Sequence, residues 1–283
     1  MSNEVPGPDL LDVRELSVDF QTSIGTVRAL RDISFSVGHE RVGVVGESGS
    51  GKSTLGRTIL RLHGKSALVR SQRMTFEGRD LLSLSERQMR DIRGNRITMI
   101  MQDPKYSLNP VLKIGKQISE AYRAHSRASV AESRARTLEM LAAVGIHEPD
   151  RVAELYPHQI SGGMGQRVMI AMMLIPEPVL LIADEPTSAL DVTVQMQVLS
   201  ILDDLVSKRG MGLIFISHDL KLVSSFCDRI LIMYRGRIVE SCAAQELQSA
   251  KHPYTQGLLR CVPSLNRKEE KLNVLERDFE WDQ

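Results

Sequence analysis

The run Gly46-Glu47-Ser48-Gly49-Ser50-Gly51-Lys52-Ser53 fits the pattern G-x-x-x-x-G-K-[S/T] at every fixed position. These residue types suit one chemistry, the binding of a polyphosphate. Glycines let the backbone turn so that successive N–H groups point at phosphate oxygens. Lys52 can neutralise β- and γ-phosphate charge, the Ser53 hydroxyl can ligate Mg2+, and Thr54 can reach the α-phosphate. A second group, Val179-Leu180-Leu181-Ile182-Ala183-Asp184-Glu185, is an apolar run closed by two carboxylates. Asp184 is suited to hold Mg2+ through a water, and Glu185 to orient and polarise an attacking water. A third, Ser161-Gly162-Gly163-Met164-Gly165-Gln166-Arg167, precedes an apolar stretch. A Ser-Gly-Gly helix start offers backbone N–H groups and a hydroxyl to an anion, and it is equally an ordinary helix cap.

These residues need particular elements to hold them. Alternation predicts strands over 11–20 and 29–37, and a valine-rich run over 41–45 leads directly into Gly46. A helix follows from Ser53 to about Leu62. The phosphate-loop pattern thus lies between a strand and a helix, the context that a chance glycine turn would lack. A strand is expected over 72–76, and Ser85-Glu86-Arg87-Gln88 has capping-box spacing. Residues 97–101, 179–183 and 213–216 read as buried strands. The acidic pair at 184–185 then falls at the carboxyl end of a strand, where open parallel sheets bind ligands. From Pro104 to about Ile175 the pattern is helical, clearest over 129–144, with Ser129 and Glu132 at capping-box spacing. Residues 230–240 read as a hairpin around Arg235-Gly236. The chain is therefore expected to be an α/β core interrupted by a helical insert.

Composition narrows the class. With 283 residues, 42% hydrophobic and 25% charged, the chain is ordinary globular material, not a disordered one. A formal net charge of +1 is not the electrostatic footprint of a nucleic-acid binder. The basic residues between Lys65 and Arg96 are interleaved with Glu77, Asp80, Glu86 and Asp91, a solvated mixed face. Cys227, Cys242 and Cys261 are too few and too scattered for a disulfide framework or a CxxC metal site, which fits a reduced compartment. No basic segment followed by an apolar core opens the chain. The longest charge-free apolar run, Val168 to Ile175, falls far short of the about 20 residues a membrane span needs.

In this order the motifs resemble those of the nucleotide-binding subunit of ATP-binding cassette (ABC) transporters, over about residues 11–262. Gln102, in Met99-Ile100-Met101-Gln102-Asp103-Pro104, matches that family's Q-loop glutamine. Ser188-Ala189-Leu190-Asp191 matches its D-loop, and His218, in Ile216-Ser217-His218-Asp219, its switch histidine. Phe20 is a candidate for the aromatic that stacks on adenine, and equally a plain strand residue. The resemblance implies a P-loop ABC ATPase core with an N-terminal antiparallel β subdomain and an α-helical subdomain inserted at about 104–175. The domain would cover 1–262, followed by a charged tail, 263–283.

What the resemblance implies about the site goes further. The family works as a dimer, with ATP between the phosphate loop of one domain and the Ser-Gly-Gly of the other. Ser161, Gly162 and Gly163 would contact the nucleotide held by a partner. Residues Gly46 to Thr54 and Asp191 would bind nucleotide, Ser53, Gln102 and Asp184 would serve Mg2+, and Glu185, His218 and Gln102 would act in hydrolysis. Met164 replaces the commonest signature glutamine. With 183–193 and His252-Pro253-Tyr254-Thr255-Gln256-Gly257-Leu258-Leu259 it resembles the oligopeptide/dipeptide/nickel importer branch. That branch implies a heterodimer with a second homologous ATPase, two transmembrane permease subunits and an extracytoplasmic solute-binding protein. It also implies a peripheral place on the cytoplasmic face of the inner membrane and no nucleic acid. Tyr106, Leu108, Asn109 and Pro110 are where the resemblance places the contact with a coupling helix of the membrane subunits, and each is equally a residue of plain loop packing. Many members of the branch carry a cysteine cluster after the Pro-Tyr-Thr segment. Here only Cys261 lies in that region and four thiolates are needed, so no iron–sulfur cluster is expected. A soluble ABC ATPase of DNA repair or translation and an exporter ATPase are the alternatives. The single phosphate loop and absent zinc-type cysteine pairs weigh against the first, and the Pro-Tyr-Thr segment against the second.

Overall fold

A computed structural model describes residues 9–102, 107–188 and 190–261, and Tyr106, Ala189 and the charged segment 263–283 lie outside the described residues. The chain divides into two compact units, one formed by residues up to Ser83 and from Ile214 onward, the other by Leu84–Leu213.

The first unit opens with β1 (Leu11–Thr22) and β2 (Gly25–Val37), antiparallel and paired from Leu11↔Val37 to Thr22↔Gly25. The second strand therefore starts four residues before its apolar alternation does, because the tight turn after Thr22 sets the register. The Thr22 hydroxyl donates to the Gly25 carbonyl at 2.6 Å across that turn. Leu11, Val13, Leu16 and Val18 face Leu30, Ile33, Phe35 and Val37 in the core. After β3 (Arg41–Val45) comes α1 (Lys52–Ile59), shorter than its pattern suggests. It stops ahead of Arg61, whose φ of 51° cannot continue a helix. Then follow β4 (Ala67–Arg70), β5 (Arg73–Phe76) and β6 (Arg79–Asp80). Both β4 and β5 pair with one edge of β1, and the sequence pattern missed β4 because Leu68 occupies an exposed position, so its burial alternates while its residue types do not. The basic residues here lie in ion pairs, Arg70 with Asp19 and Arg73 with Asp12 of β1.

The second unit begins with α2 (Glu86–Ile92), and Ser85 and Gln88 form the expected capping box in full. The strand β7 (Ile97–Ile100) is buried throughout. Four helices then pack on one another: α3 (Ile114–Arg123), α4 (Val130–Ala143), α5 (Pro149–Ala153) and α6 (Gly162–Leu174). They fill the stretch read as helical, broken by turns at positive-φ Gly145 and Glu148. Ser129 accepts from the Glu132 N–H at 3.2 Å, one arm of the box its spacing suggested. The strand β8 (Leu180–Asp184) pairs parallel with β7, and α7 (Val192–Arg209) closes the unit.

The last stretch returns through β9 (Gly212–Ser217) to α8 (Leu220–Phe226), β10 (Arg229–Tyr234), β11 (Arg237–Ala243) and α9 (Pro253–Cys261). The hairpin turns at Arg235 and Gly236, with φ of 44° and 82°, the primed geometry that matches strand twist. Parallel to β10 runs β3, with Val45 opposite Ile232. Against β3 lies α8, so close that a Cβ on Gly43 would stand 2.1 Å from Val223 Cγ1. Burial among these apolar groups pushes the neighbouring Cys227 thiol up to about 12. Gly43→Ala should therefore lower stability by about 1–3 kcal/mol through overpacking. Denaturant midpoints of Gly43→Ala, Val223→Ala and the double variant check this, with the pair expected to be less destabilised than the sum of its parts.

Candidate functional site

The phosphate loop hangs from the carboxyl end of β3. Parallel pairing sets Met233 beside Gly46, and a Cβ at residue 46 would stand 2.1 Å from the Met233 carbonyl oxygen. Only glycine permits that approach. Farther on, Gly49 and Gly51 take φ of 81° and 105°, bending the chain back on itself before α1 begins. The outer side of the loop is tied to the β10–β11 turn by the Gly236 N–H, which donates to the Ser50 carbonyl at 2.9 Å. Lys52, 5% exposed, donates from Nζ to the Gly46 and Glu47 carbonyls at 2.7 and 2.9 Å. A cavity of about 130 Å3 opens along Glu47, Ser48, Gly49, Ser50, Tyr234 and Arg235. Apart from that cavity, the loop offers turned glycines, a helix start and a lysine that donates to two of the loop's own carbonyls. These fit a polyphosphate, since phosphate oxygens are stronger acceptors for an ammonium than amide carbonyls are. The Ser50 hydroxyl, 4% exposed, is buried against the loop with no hydrogen-bond partner.

In the second unit one register aligns two functional side chains. Ile100 pairs with Ala183 between β7 and β8, so Gln102 and Glu185, each two residues on, arrive side by side. Gln102 Nε2 donates to Glu185 Oε2 at 3.2 Å although 83 positions separate them in sequence. Asp184 ends the buried strand at 3% exposure, while Glu185 beyond it is half-buried with a left-handed φ of 47°. An L-residue in that region carries strain of the kind found at functional turns. The left-handed step turns the chain sharply, and the Ser188 N–H and hydroxyl both donate to the Glu185 carbonyl, at 3.3 and 3.2 Å.

Ser161 caps α6, accepting from the Met164 N–H at 3.3 Å. Ser161 and Gly162 are exposed, and Gly163 lies against Val194 of α7, where a Cβ would meet Cγ1 at 2.8 Å. Asp191 caps α7 by accepting from the Val194 N–H at 3.0 Å. One residue escaped the sequence analysis. Gln166, 2% exposed, donates from Nε2 to the Pro186 carbonyl and so ties the Ser-Gly-Gly helix to the turn that carries Glu185. A glutamine on a helix face that is otherwise apolar was the available signal. Gln117 acts alike on the segment after Gln102: it accepts the Asn109 N–H and donates to the Asn109 and Leu112 carbonyls, all within 3.0 Å. Leu108 is buried in this chain's own core, so it is not available to a partner as its position in the motif suggested. Asn109, Pro110 and Val111 are exposed.

Back in the first unit, His218 is exposed directly after β9, and Asp219 beyond it caps α8. Phe20 is half-buried near the end of β1, with the His63 ring edge-on at a centroid distance of 5.2 Å. Burial holds the His63 imidazole below its usual range, which favours the neutral ring against Phe20.

The class that these two regions define is the P-loop ATPase. The family model for the ABC transporter matches residues 30–188. A probable peptide ABC transporter ATP-binding protein of Sinorhizobium fredii is 50% identical over 91% of this chain and 78% of its own length. The oligopeptide transport ATP-binding protein OppD of Bacillus subtilis is 44% identical over 94% and 75%. The dipeptide transport ATP-binding protein DppD of Haemophilus influenzae is 46% identical over 94% and 82%. Among solved structures, the dimeric post-hydrolysis state of the ATP-binding cassette MJ0796 with ADP and Pi superposes with a TM-score of 0.73. It is 26% identical, and the match covers 83% of this chain and 98% of that one. The chain belongs to the ABC transporter family, as its ATP-binding cassette. Among the described residues no helix is long and apolar enough to cross a membrane.

Gln166→Leu keeps the side chain's bulk but leaves the Pro186 carbonyl without this donor. Thermal or denaturant unfolding should register a loss of about 1–3 kcal/mol.

Proposed function

We propose that this chain hydrolyses ATP to power a membrane importer of di- or oligopeptides or similar small solutes. The observation that carries this is the 44–50% identity, over at least 91% of the chain, to proteins named as peptide, oligopeptide and dipeptide transport ATP-binding proteins. The partners in this reading are a second homologous ATPase, two transmembrane permease subunits and a solute-binding protein that captures the solute outside. The chain would sit peripherally on the cytoplasmic face of the inner membrane. The domain in this reading runs over residues 1–262, with 104–175 as its helical insert and 263–283 as a tail.

The chemistry follows from the residues. The N–H groups of the loop and the α1 start hold the β- and γ-phosphates, and Lys52 leaves the Gly46 and Glu47 carbonyls for phosphate oxygens. Gln102 holds one oxygen of Glu185, which orients the carboxylate. Glu185 accepts a proton from the water that attacks the γ-phosphorus, and the bond to ADP breaks. His218 contacts the γ-phosphate, and Phe20 lies against adenine. Ser161, Gly162 and Gly163 reach the nucleotide of the partner domain, and Asp191 caps the helix beside them. Mg2+ would be held by Ser53, Gln102 and Asp184 and would supply charge neutralisation at the phosphates. A hydroxyl, an amide and one carboxylate suit an ion that keeps phosphate and water in its shell.

Glu185→Gln should reduce ATP turnover by about 10²–10⁴-fold while ATP binding persists, because only proton acceptance is lost. Turnover near wild type would remove Glu185 from this role. Lys52→Ala should weaken ATP binding by on the order of tenfold or more, since a bond to a charged group is lost; calorimetry on the purified chain measures it. A mild-detergent pull-down of the tagged chain from its own membranes tests the assembly. Two polytopic proteins and a second cassette ATPase are expected, and recovery from the soluble fraction alone would replace the importer with a soluble ABC ATPase.

A further inference from the structure

The segment 252–261 bears on the phosphate loop through one side chain. Tyr254, in the first turn of α9, is fully buried and packs against Tyr234 with ring centroids 4.4 Å apart and the rings tilted by 41°. Its hydroxyl accepts the Glu47 N–H at 3.1 Å. That N–H is one end of the Gly46–Glu47 peptide unit. The other end, the Gly46 carbonyl, accepts from Lys52 Nζ at 2.7 Å. A trans peptide points its C=O and N–H in opposite directions within one rigid plane. Tyr254 and Lys52 therefore grip the same plate from opposite sides, and the close approach of Gly46 to the Met233 carbonyl leaves the plate little room to shift.

The tyrosine is itself firmly placed. Glu240 of β11 accepts the N–H groups of Lys251 and His252 at Oε1, at 2.7 and 3.3 Å. His252 Nδ1 accepts the Tyr254 N–H at 3.2 Å. Strand, turn and helix start thus fix the ring, and Tyr234 supports its face from the strand that runs parallel to β3.

We propose that Tyr254 is a positioning residue for ATP binding: its hydroxyl fixes the Gly46–Glu47 peptide plane, and so the loop shape that receives phosphate and the seat from which Lys52 moves onto it. This rests on residues 46–53 being the ATP-binding loop. Without the hydroxyl the plate can turn, the loop spends less time in the binding shape, and apparent affinity falls by that fraction. A tyrosine that served stability alone would, on losing its hydroxyl, lower the unfolding midpoint and leave affinity unchanged.

The test uses the purified full chain, with ATP and Mg2+ titrated by calorimetry well below the unfolding midpoint of every variant. Tyr254→Phe keeps the packed ring and removes the hydroxyl. The expected result is an ATP dissociation constant raised about fivefold or more. Met74→Ala, which leaves a cavity at a fully buried position of β5 in the same unit, is expected to lower the midpoint and keep wild-type affinity, separating positioning from stability. Wild-type affinity in Tyr254→Phe, with binding lost in Lys52→Ala, overturns the proposal and leaves the loop assignment standing. Wild-type affinity in Lys52→Ala overturns the loop assignment and the proposal with it. If Tyr254→Phe fails to fold, Glu240→Ala takes its place, because it loosens the turn and leaves the tyrosine intact. A raised dissociation constant in that variant supports the proposal, and wild-type affinity overturns it.

Discussion

The parallel pairing of β3 with β10 is the constraint on which the phosphate loop depends. It brings the Met233 carbonyl to where a side chain at residue 46 would begin, at 2.1 Å. The loop must therefore leave the strand as a bare backbone, and its next peptide plane is held from both sides by Lys52 and Tyr254. A loop made of glycines and serines has high conformational entropy and would not keep one anion-binding shape unaided. Its order comes from outside, from the Gly236 N–H on the Ser50 carbonyl and the tyrosine pair beneath it.

The same logic works independently in the second unit. Parallel strands run in one direction, so residues equally far beyond a paired position emerge at the same edge. Gln102 and Glu185 meet for that reason and no other. The left-handed φ at Glu185 turns the chain at once, and the Ser188 and Gln166 bonds stabilise the turn. Buried amides on Gln117 and Gln166 hold irregular segments that no apolar packing could fix, because buried carbonyl and N–H groups require partners.

The surface charges contribute little to this organisation. Arg73 and Arg93 pair with Asp12 and Glu86 at exposed or half-buried positions, where an ion pair adds about 0–1 kcal/mol, while Arg70 reaches the buried carboxylate of Asp19. These arginines belong to the stretch 65–96, in which basic and acidic residues are interleaved. Two of its arginines are matched by acids of β1, far away in sequence, which no local reading of charge would find.

The sequence by itself determined what could be encoded locally. The phosphate loop needs its residue types consecutively, the acidic pair needs only an apolar strand before it, and Ser85 and the Arg235-Gly236 turn are signals a few residues long. The strand and helix around residues 46–53, the strand that ends at Asp184, the cap and the turn were legible, as were the α/β class and the helical insert, because each is carried by short-range pattern. Tertiary structure decided the rest. Leu108 is buried although its neighbours Asn109 and Pro110 are exposed, β4 exists because β1 offers it an edge, and β2 starts at Gly25 because a turn sets its register. The bond from Glu47 to Tyr254 spans 207 positions, and the one from Gln102 to Glu185 spans 83. Neither separation carries a pattern, since a hydrogen bond depends on where two strands end in space and not on how many residues lie between them.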